Sequence, residues 1–223
     1  MNISITPNTT LEETQNIEAV ADVLSKAFKG VPGDDYFVHK FNNIPLTVPL
    51  DEAKVKELRL GTVSFFKGQG AEIIQANNFD AVAIWQTPDV TITAGEVSDQ
   101  GFNEKYIQMV KRAVRKVIPD EMKRYYLFMI GRDPNGVTKG SVRSIFEYYK
   151  NRADIENSAI YLESISEAAK SVYEYFGFKN YLTFQVGVGE VNSLGKQDPQ
   201  GKGFTMYLMV YHKDADSVLN SLP

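Results

Sequence analysis

The order of elements in the second half of the chain limits the fold more than any other feature. Short apolar runs predict strands over Arg124–Arg132 and Ala159–Ser164, and apolar residues at helical spacing predict a helix over Gly140–Arg152 between them. The remaining predicted elements are a helix that ends at Gly177 and two strands, Phe178–Val186 and Phe204–His212. This alternation requires a mixed sheet covered by helices.

The first half of the chain carries weaker patterns. The elements predicted there are a strand over Ile3–Thr6, helices over Ile17–Phe28, Val55–Phe66 and Asn103–Val117, and a buried strand over Phe79–Thr87. Thr9 or Thr10 is the expected cap of the first helix. Gly30–Pro49, which contains glycines and prolines among aromatic residues, is interpreted as an irregular connection. A length of 223 residues fits a single domain, 1–223.

Composition and charge exclude several classes of function. A net charge of -4 argues against nucleic acid as a main partner. The chain has no cysteine, and its two histidines, His39 and His212, are too few for a zinc or iron site, so we expect no metal. No segment approaches the roughly 18 consecutive apolar residues of a membrane helix, and no signal-peptide pattern opens the chain. We therefore expect a soluble, cytoplasmic protein without a membrane partner.

Two consecutive motifs in the second half resemble those of a known family. After the first strand come Asp133-Pro134, a loop and the step Lys139-Gly140 at a helix start, and the sequence VYEYFGF ends the next helix. Residues 125–179 thus resemble the core motifs of the GNAT acetyltransferases. The resemblance implies an α/β (α+β) GNAT fold, with a mixed, mostly antiparallel central sheet flanked by helices. It also implies acetyl-CoA as the cosubstrate.

The helix start at Gly140 is the predicted anion site. Unpaired amides and the helix dipole at such a position favour a diphosphate. GNAT proteins carry the pattern Gln/Arg-x-x-Gly-x-Gly/Ala here; Gly140 matches it, whereas Val137 and Val142 depart from it. The backbone amides expected to bind the diphosphate are those of Thr138, Lys139, Gly140 and Ser141. Because β-branched Val142 crowds close approach of phosphate oxygens, we expect weakened acetyl-CoA binding.

The resemblance implies roles for four further residues. Backbone groups near Ile130 would contact the thioester arm, and Tyr173 would protonate the departing thiolate; its alternative role is packing on an apolar helix face. Glu163, at a strand end, is the candidate base, with a solvated or capping carboxylate as the alternative. Ser166 stands where relatives carry a cofactor-binding asparagine, and it could equally serve the helix start.

Two local patterns have structural interpretations. Ser164 and Glu167 have the spacing of a capping box for the helix that follows. Gln200–Gly203, with the sequence QGKG, looks like a phosphate loop. Because a strand and not a helix follows it, we interpret it as a hairpin loop.

The predicted function is N-acetyl transfer from acetyl-CoA to a primary amine of a small molecule, directly, in a ternary complex. The alternative is a catalytically impaired GNAT-fold protein that binds CoA or regulates, which the departures at Val137 and Val142 favour. A homodimer is left open. Aromatic residues of the first half would suit an aromatic acceptor or equally a plain core; they are Tyr36, Phe37, Phe41, Phe65, Phe66 and Trp85.

Overall fold

A computed structural model describes residues 9–93 and 95–222, so the strand predicted over Ile3–Thr6 lies outside the described residues. The described strands are β1 Leu11–Glu13, β2 Glu72–Ala76, β3 Ala81–Gln86, β4 Arg124–Arg132, β5 Ala159–Ser164, β6 Lys179–Val186 and β7 Phe204–Tyr211. The described α-helices are α1 Ile17–Phe28, α2 Asp34–Phe41, α3 Glu52–Gly68, α4 Gln100–Phe102, α5 Met109–Val117, α6 Ser141–Glu156, α7 Glu167–Tyr175 and α8 Ala215–Val218, with a π-helix over Asn103–Gln108.

The seven described strands follow the order β1-β2-β3-β4-β5-β7-β6. The pairs β1–β2, β2–β3, β3–β4 and β6–β7 are antiparallel. The predicted fold class, a mixed and mostly antiparallel sheet flanked by helices, is confirmed. The described residues form two compact units, within each of which residues contact mainly one another. Unit 1 takes its residues from Met1–Lys29, Asp51–Thr93 and Lys123–Ile160, and unit 2 from Gly30–Leu50, Ala94–Met122 and Tyr161–Pro223.

In unit 1, α1 and α3 pack against the sheet and form its main core. Both helices begin at a side-chain cap: Asn16 accepts a hydrogen bond from the amide of Ala19 at 3.1 Å, and Asp51 caps α3 in the same way. The prediction of Thr9 or Thr10 as the α1 cap was therefore wrong. The residues after them pair with β2 as the short strand β1, so the helix begins later.

The opposite face of the unit 1 sheet packs on α6. The Trp85 ring stacks on the Tyr149 ring at 4.0 Å, and the Phe146 ring lies edge-on to it at 6.5 Å. Trp85 is fully buried. Phe66 is likewise a core residue, packed with residues of α1. Of the two alternatives for the first-half aromatics, a plain core is therefore the one that applies to Trp85 and Phe66.

Unit 2 contains a helix that the sequence did not predict. Within Gly30–Pro49, interpreted as irregular, α2 spans eight residues, Asp34–Phe41. It begins at Gly33, whose φ of 88° is left-handed, and Asp34 and Asp35 lie in its first turn. Gly33 was mistaken for a loop signal although here it marks the helix start.

The helix predicted over Asn103–Val117 is only partly α-helical. Residues Asn103–Gln108 form a π-helix, and the α-helical conformation resumes at Met109. Apolar spacing cannot distinguish these two helix types over one turn, and π-helical turns are frequent at functional sites. Among the described helices, none is both long enough and apolar enough to cross a membrane.

We predict that Gly131→Ala destabilises unit 1. A Cβ at this β4 position would stand 2.8 Å from the Cβ of Ala27 in α1, so the helix must shift. Overpacking of this kind lowers the free energy of unfolding by about 1–3 kcal/mol. Equilibrium urea denaturation measures the difference.

The matched control is Gly61→Ala in α3, where, apart from the adjoining backbone of the helix itself, no atom of the described residues lies within 4 Å of the added Cβ. Alanine should there raise the free energy of unfolding by about 1 kcal/mol, because it is the better helix former. Equal effects of the two substitutions would contradict a close approach of α1 to β4.

Candidate active site

Strand β4 carries a β-bulge near the residue predicted to contact the thioester arm. The register between β3 and β4 shifts at Ile84/Trp85, which leaves Phe128 as the extra residue of β4. A bulge bends its strand and redirects the neighbouring residues. Ile130 lies two residues further on, opposite Ala83 of β3, and is half-buried.

The Asp-Pro step after β4 forms a tight turn. The Asp133 side chain accepts a hydrogen bond from the amide of Asn135 at 2.8 Å, and its carbonyl accepts one from the amide of Gly136 at 2.8 Å. Lys26 of α1 lies 3.3 Å from the same carboxylate. The turn therefore reverses the chain at once after the strand and leads it toward α6.

Helix α6 begins at Gly140, as predicted, and its first amides are unpaired. Gly140 has φ of 91°, and no acidic residue lies in the first turn of this 16-residue helix. Within residues 9–93 and 95–222, the backbone amides of Lys139, Gly140, Ser141 and Val142 donate no hydrogen bond. Four successive amides at the positive end of a helix dipole make this an anion site.

The Thr138 amide is not part of that set. It donates a hydrogen bond to Asp80 Oδ1 at 3.1 Å, so the prediction that it is available to the diphosphate was wrong. The Ser141 side chain is buried and also engaged. Its hydroxyl accepts a hydrogen bond from the Asn77 amide group at 2.8 Å, and its one proton lies within reach of both the Thr138 carbonyl, at 3.3 Å, and the Asp80 carboxylate. The Ser141 side chain is therefore not available to a ligand.

The two positions that depart from the family pattern have different surroundings. The Val137 side chain is 91% exposed, so it packs against nothing in the loop. Val142 is half-buried in the first turn of α6. Neither valine side chain can donate a hydrogen bond to an anion. Backbone amides, including that of Val142, therefore supply the polar contacts.

In unit 2, Tyr173 lies on α7 and is half-buried. Its ring lies 6.0 Å from the ring of Phe178, centroid to centroid. Burial raises the pKa of the Tyr173 phenol to about 12. The phenol is therefore protonated throughout the physiological pH range.

Ser166, and not Ser164, caps α7. The Ser166 Oγ accepts a hydrogen bond from the amide of Ala169 at 3.1 Å, and the Ser164 hydroxyl donates to the Ser166 carbonyl at 3.0 Å. The capping box predicted from Ser164 and Glu167 was therefore wrong, because the helix begins two residues later. A hydroxyl that accepts keeps its own proton, so Ser166 can still donate to a ligand.

Glu163 is half-buried, one residue before the end of β5, and its charge acts on Tyr106. Burial raises the pKa of the Tyr106 phenol well above its usual value, and the charge of Glu163 raises it further. Tyr106 belongs to the π-helix. A π-helical turn is often found at a functional site, so the position of Tyr106 in one could have drawn attention to it. No pattern in the sequence marks this π-helix, so the sequence did not identify Tyr106.

The aromatic cluster of unit 2 consists of rings from α2, α4, the π-helical segment and β7. We define it as Tyr36, Phe37, Phe41, Phe102, Tyr106 and Phe204. The shortest distance between ring centroids in this cluster is 5.0 Å, between Phe37 and Tyr106. Of the first-half aromatics named from the sequence, three therefore lie together in unit 2.

A buried ammonium group stands beside the aromatic cluster. Lys40 Nζ lies 2.6 Å from Asp99 and also contacts Glu190, which accepts a hydrogen bond from the Tyr36 hydroxyl at 2.6 Å. Burial alone would lower the pKa of Lys40, but the hydrogen bonds to both carboxylates outweigh it and raise that pKa. The Lys40 ammonium thus joins α2 to the segments around Asp99 and Glu190.

A cleft of about 560 Å³ opens within unit 2 beside the start of α7. Ser166, Glu167, Phe204 and Tyr207 are among its lining residues. Lys202 of the QGKG sequence also lines it, and that sequence lies in the connection between β6 and β7, as predicted. A cleft of this size accommodates a small molecule.

Both histidines are buried in unit 2. His212 Nδ1 accepts a hydrogen bond from the amide of Asp214 at 3.0 Å. In the part of the chain that the structure describes, no group of three or more His, Cys, Asp or Glu side chains is arranged to hold a metal ion.

Solved structures share the fold of most of the chain at low sequence identity. The C-terminal condensation domain of Ebony, in complex with beta-alanyl-dopamine, has a TM-score of 0.57 at 12% identity and covers 92% of this chain and 99% of its own. Mosquito arylalkylamine N-acetyltransferase like 5b has a TM-score of 0.56 at 14% identity, with 92% and 100% coverage.

Sequence comparison links the chain to an acetyltransferase family. The YOR012W acetyl transferase domain model matches residues 12–91. The uncharacterized protein YDR391C of Saccharomyces cerevisiae is 45% identical over 213 residues, which covers 94% of this chain and 90% of that protein. The chain is a divergent member of the GNAT superfamily. The GNAT fold and the acetyltransferase domain support an acyltransferase in general terms.

We predict that Lys40→Met destabilises this GNAT protein. The substitution keeps the length of the side chain but removes the cation that Asp99 and Glu190 share. Breaking a buried ion pair leaves charge uncompensated and costs about 3 kcal/mol of unfolding free energy, the low end of the usual range, because both carboxylates are partly exposed. Urea denaturation measures it.

Lys56→Met is the control, since Lys56 pairs with Asp22 at 2.6 Å but is 53% exposed. Removing an exposed pair should change the free energy of unfolding by less than about 1 kcal/mol. If both substitutions had the same small effect, the Lys40 cluster would not contribute to the stability of unit 2.

Proposed function

We propose that the chain moves the acetyl group of acetyl-CoA to the primary amine of a small molecule, directly, in a ternary complex. The observation that carries this proposal is the start of α6, where four unpaired backbone amides among the described residues follow the Asp133-Pro134 turn. A diphosphate matches such a site in charge and in its number of acceptor atoms. Membership of the GNAT superfamily supports acetyl-CoA as its source.

In this proposal, different groups of the chain bind different parts of acetyl-CoA. The amides of Lys139, Gly140 and Ser141, joined by that of Val142, hold the diphosphate. The exposed Lys139 side chain adds positive charge. Backbone groups at Ile130 contact the thioester arm, and the Ser166 hydroxyl donates to the cofactor. No metal takes part.

Tyr173 assists the departure of sulfur in the proposed reaction. Its pKa of about 12 stands above that of an ordinary thiol, about 8.5, so complete proton transfer to a thiolate would be uphill by about 5 kcal/mol. We therefore assign the phenol a hydrogen bond to the sulfur as negative charge develops there. A donor aimed at developing charge lowers a barrier by a few kcal/mol.

Glu163 is the proposed base for the incoming ammonium, directly or through a water. Once the amine has lost a proton to Glu163, its nitrogen attacks the thioester carbonyl. The new C–N bond forms, the C–S bond breaks, and the electron pair of that bond leaves on sulfur beside Tyr173. The nitrogen then gives its second proton to the departing thiolate, so that the products are the amide and the free thiol of CoA. The position of Glu163 near the end of β5, half-buried, supports this role, because the carboxylate is partly shielded from bulk water while it stays within reach of a ligand.

The acceptor is the least specified part of the proposal. The cleft in unit 2 suits a small molecule, and Phe204, the ring of the aromatic cluster that lines this cleft, makes an aromatic amine the first class to screen. The fold neighbours named for an arylalkylamine N-acetyltransferase and for a complex with beta-alanyl-dopamine agree with that choice. We propose a single functional domain over 1–223 that acts in the cytoplasm, as a monomer or a homodimer.

A second candidate is a GNAT-fold protein that binds CoA without transferring acetyl groups. The specific observations in its favour are the two valines of the loop and the engagement of the Thr138 amide by Asp80. It shares the diphosphate site with the first candidate and differs only in turnover. Binding and turnover must therefore be measured separately.

We predict that the full chain binds acetyl-CoA, with a dissociation constant of roughly 10–100 μM, because amides without a Gln/Arg side chain give fewer contacts than a complete loop. Isothermal titration calorimetry measures the affinity. Absence of binding at millimolar acetyl-CoA would end both candidate functions. Thiol release over an amine panel then separates them, and a chain without cysteine gives the thiol reagent no background.

We predict that Tyr173→Phe lowers kcat about 100-fold, because the sulfur then leaves without a hydrogen-bond donor. The affinity for acetyl-CoA should stay within about twofold, since the hydroxyl acts on charge that develops only during the reaction. Steady-state kinetics and calorimetry measure the two quantities.

Tyr175→Phe is the control, because Tyr175 lies on the same helix and is 66% exposed. It should leave kcat unchanged. With a Tyr173 pKa of about 12, the wild-type kcat should also show no decline from ionisation of this phenol up to about pH 10. Equal turnover of Tyr173→Phe and wild type would remove Tyr173 from the mechanism.

A further inference from the structure

The turn between β2 and β3 has an unusual backbone. Asn77, Asn78 and Phe79 have φ values of 53°, 54° and 66°, three successive left-handed residues without a glycine. Asparagine tolerates this region, whereas phenylalanine adopts it only at a cost of about 1–3 kcal/mol. Strain of this kind persists where the surrounding contacts determine the conformation and is concentrated at functional sites.

Hydrogen bonds from two backbone amides fix the conformation of this turn. The Asn77 side chain accepts a hydrogen bond from the amide of Thr10 at 3.0 Å, and the Gln75 side chain accepts one from the amide of Phe79 at 2.9 Å. These contacts fix the direction in which the next residue, Asp80, leaves the turn.

Asp80 reaches from this turn into the loop between β4 and α6. Its side chain is 5% exposed. One carboxylate oxygen accepts from the Thr138 amide at 3.1 Å and the other from Arg132 Nε at 3.2 Å. The Asp80 carbonyl also accepts from the amide of Asp133 at 2.9 Å. The whole loop is therefore attached to one residue that lies more than fifty positions earlier in the chain.

Arg132 extends the attachment. Its Nη2 donates to the Gly136 carbonyl at 2.7 Å and to the Thr138 carbonyl at 3.3 Å. A Cβ at Gly136 would overlap Asp80 Oδ1, so only glycine allows the loop to pass this close to the carboxylate. These contacts explain Arg132, for which the family resemblance offers no role.

Asp80 is charged when it makes these contacts. Burial pushes its pKa upward, but hydrogen bonds from the Ser141 hydroxyl, the Thr138 amide and Arg132 outweigh burial and hold the pKa below its ordinary value. The Arg132 guanidinium compensates the negative charge close to a site meant for an anion. An ionised carboxylate has two acceptor oxygens, one for the Thr138 amide and one for Arg132 Nε.

We propose that Asp80 is a positioning residue for the diphosphate: it holds the loop 133–140 so that the unpaired amides from Lys139 to Val142 converge on one anion. This inference rests on the proposed function. In this inference, the β2–β3 turn and Arg132 determine the conformation of the loop, whereas the residues at 137 and 142 do not.

Asp80→Asn tests the proposal. Asparagine has nearly the same shape but has a single acceptor oxygen and places an amide group against the donors Arg132 and Ser141. We expect the dissociation constant for CoA to rise about tenfold, which corresponds to about 1.4 kcal/mol. The affinity for S-acetylpantetheine, which lacks the diphosphate, should stay unchanged. Calorimetry measures CoA, and NMR titration measures the weaker ligand.

Asp89→Asn is the matched control, because Asp89 is 86% exposed and lies 3.6 Å from Lys123. It should leave both affinities unchanged. Should Asp80→Asn fail to fold, Arg132→Lys tests the same attachment at a residue that is 44% exposed. It retains the charge but loses the two carbonyl contacts, so we expect about a threefold loss of CoA affinity and an unchanged melting temperature, within about 2 °C.

The outcomes separate the inference from the proposed function. If wild type binds no CoA, the proposed function fails and this inference fails with it. If wild type binds CoA and Asp80→Asn binds it equally or more tightly, the inference alone fails, because the carboxylate then only repels the diphosphate. An equal loss of affinity for CoA and S-acetylpantetheine would also overturn it, since that indicates general damage to the fold.

Discussion

The unpaired amides at the start of α6 are the constraint on which the rest of the candidate site depends. Every residue except proline has the same backbone amide, so this site depends on backbone conformation and not on residue type. It exists only if the chain before Gly140 approaches the helix from one direction. That direction is set by a strand, β4, that ends in a turn at Asp133. The GNAT fold thus contributes an arrangement of backbone, and the chemistry of an anion site follows from it.

Local sequence patterns predicted those parts of the fold that depend on local forces. The bounds of β4 and β5 agree with the prediction, because each contains a run of consecutive apolar residues with polar residues at one or both ends. Strand β1 has only three residues and forms by pairing with β2, which lies about sixty positions away; no pattern within it signals a strand. Helix α2 was hidden by Gly33, a residue that is common in loops and equally suited to this helix start.

The candidate site was predictable to the same degree. The motif residues from Asp133 to Ser141 and Tyr173 could be named because they are consecutive or lie at a fixed helical spacing. Asp80 could not be named, because it falls within a run interpreted as the strand Phe79–Thr87 and its partner amide is 58 positions away. Long-range polar contacts leave no periodic signal. The loss of the Thr138 amide to Asp80 was invisible for the same reason.

A degenerate motif is weak evidence for a lost site when the motif residues do not hold the loop. Val137 is almost fully exposed, so the type of residue at this position has little influence on the conformation of the loop backbone. The contacts that shape the loop come instead from Asp80 and Arg132. Substitution at 137 is therefore compatible with an intact set of amides, whereas the site is sensitive to residues that the motif does not contain. The relevant comparison between relatives of this kind is the geometry of the loop and its supports.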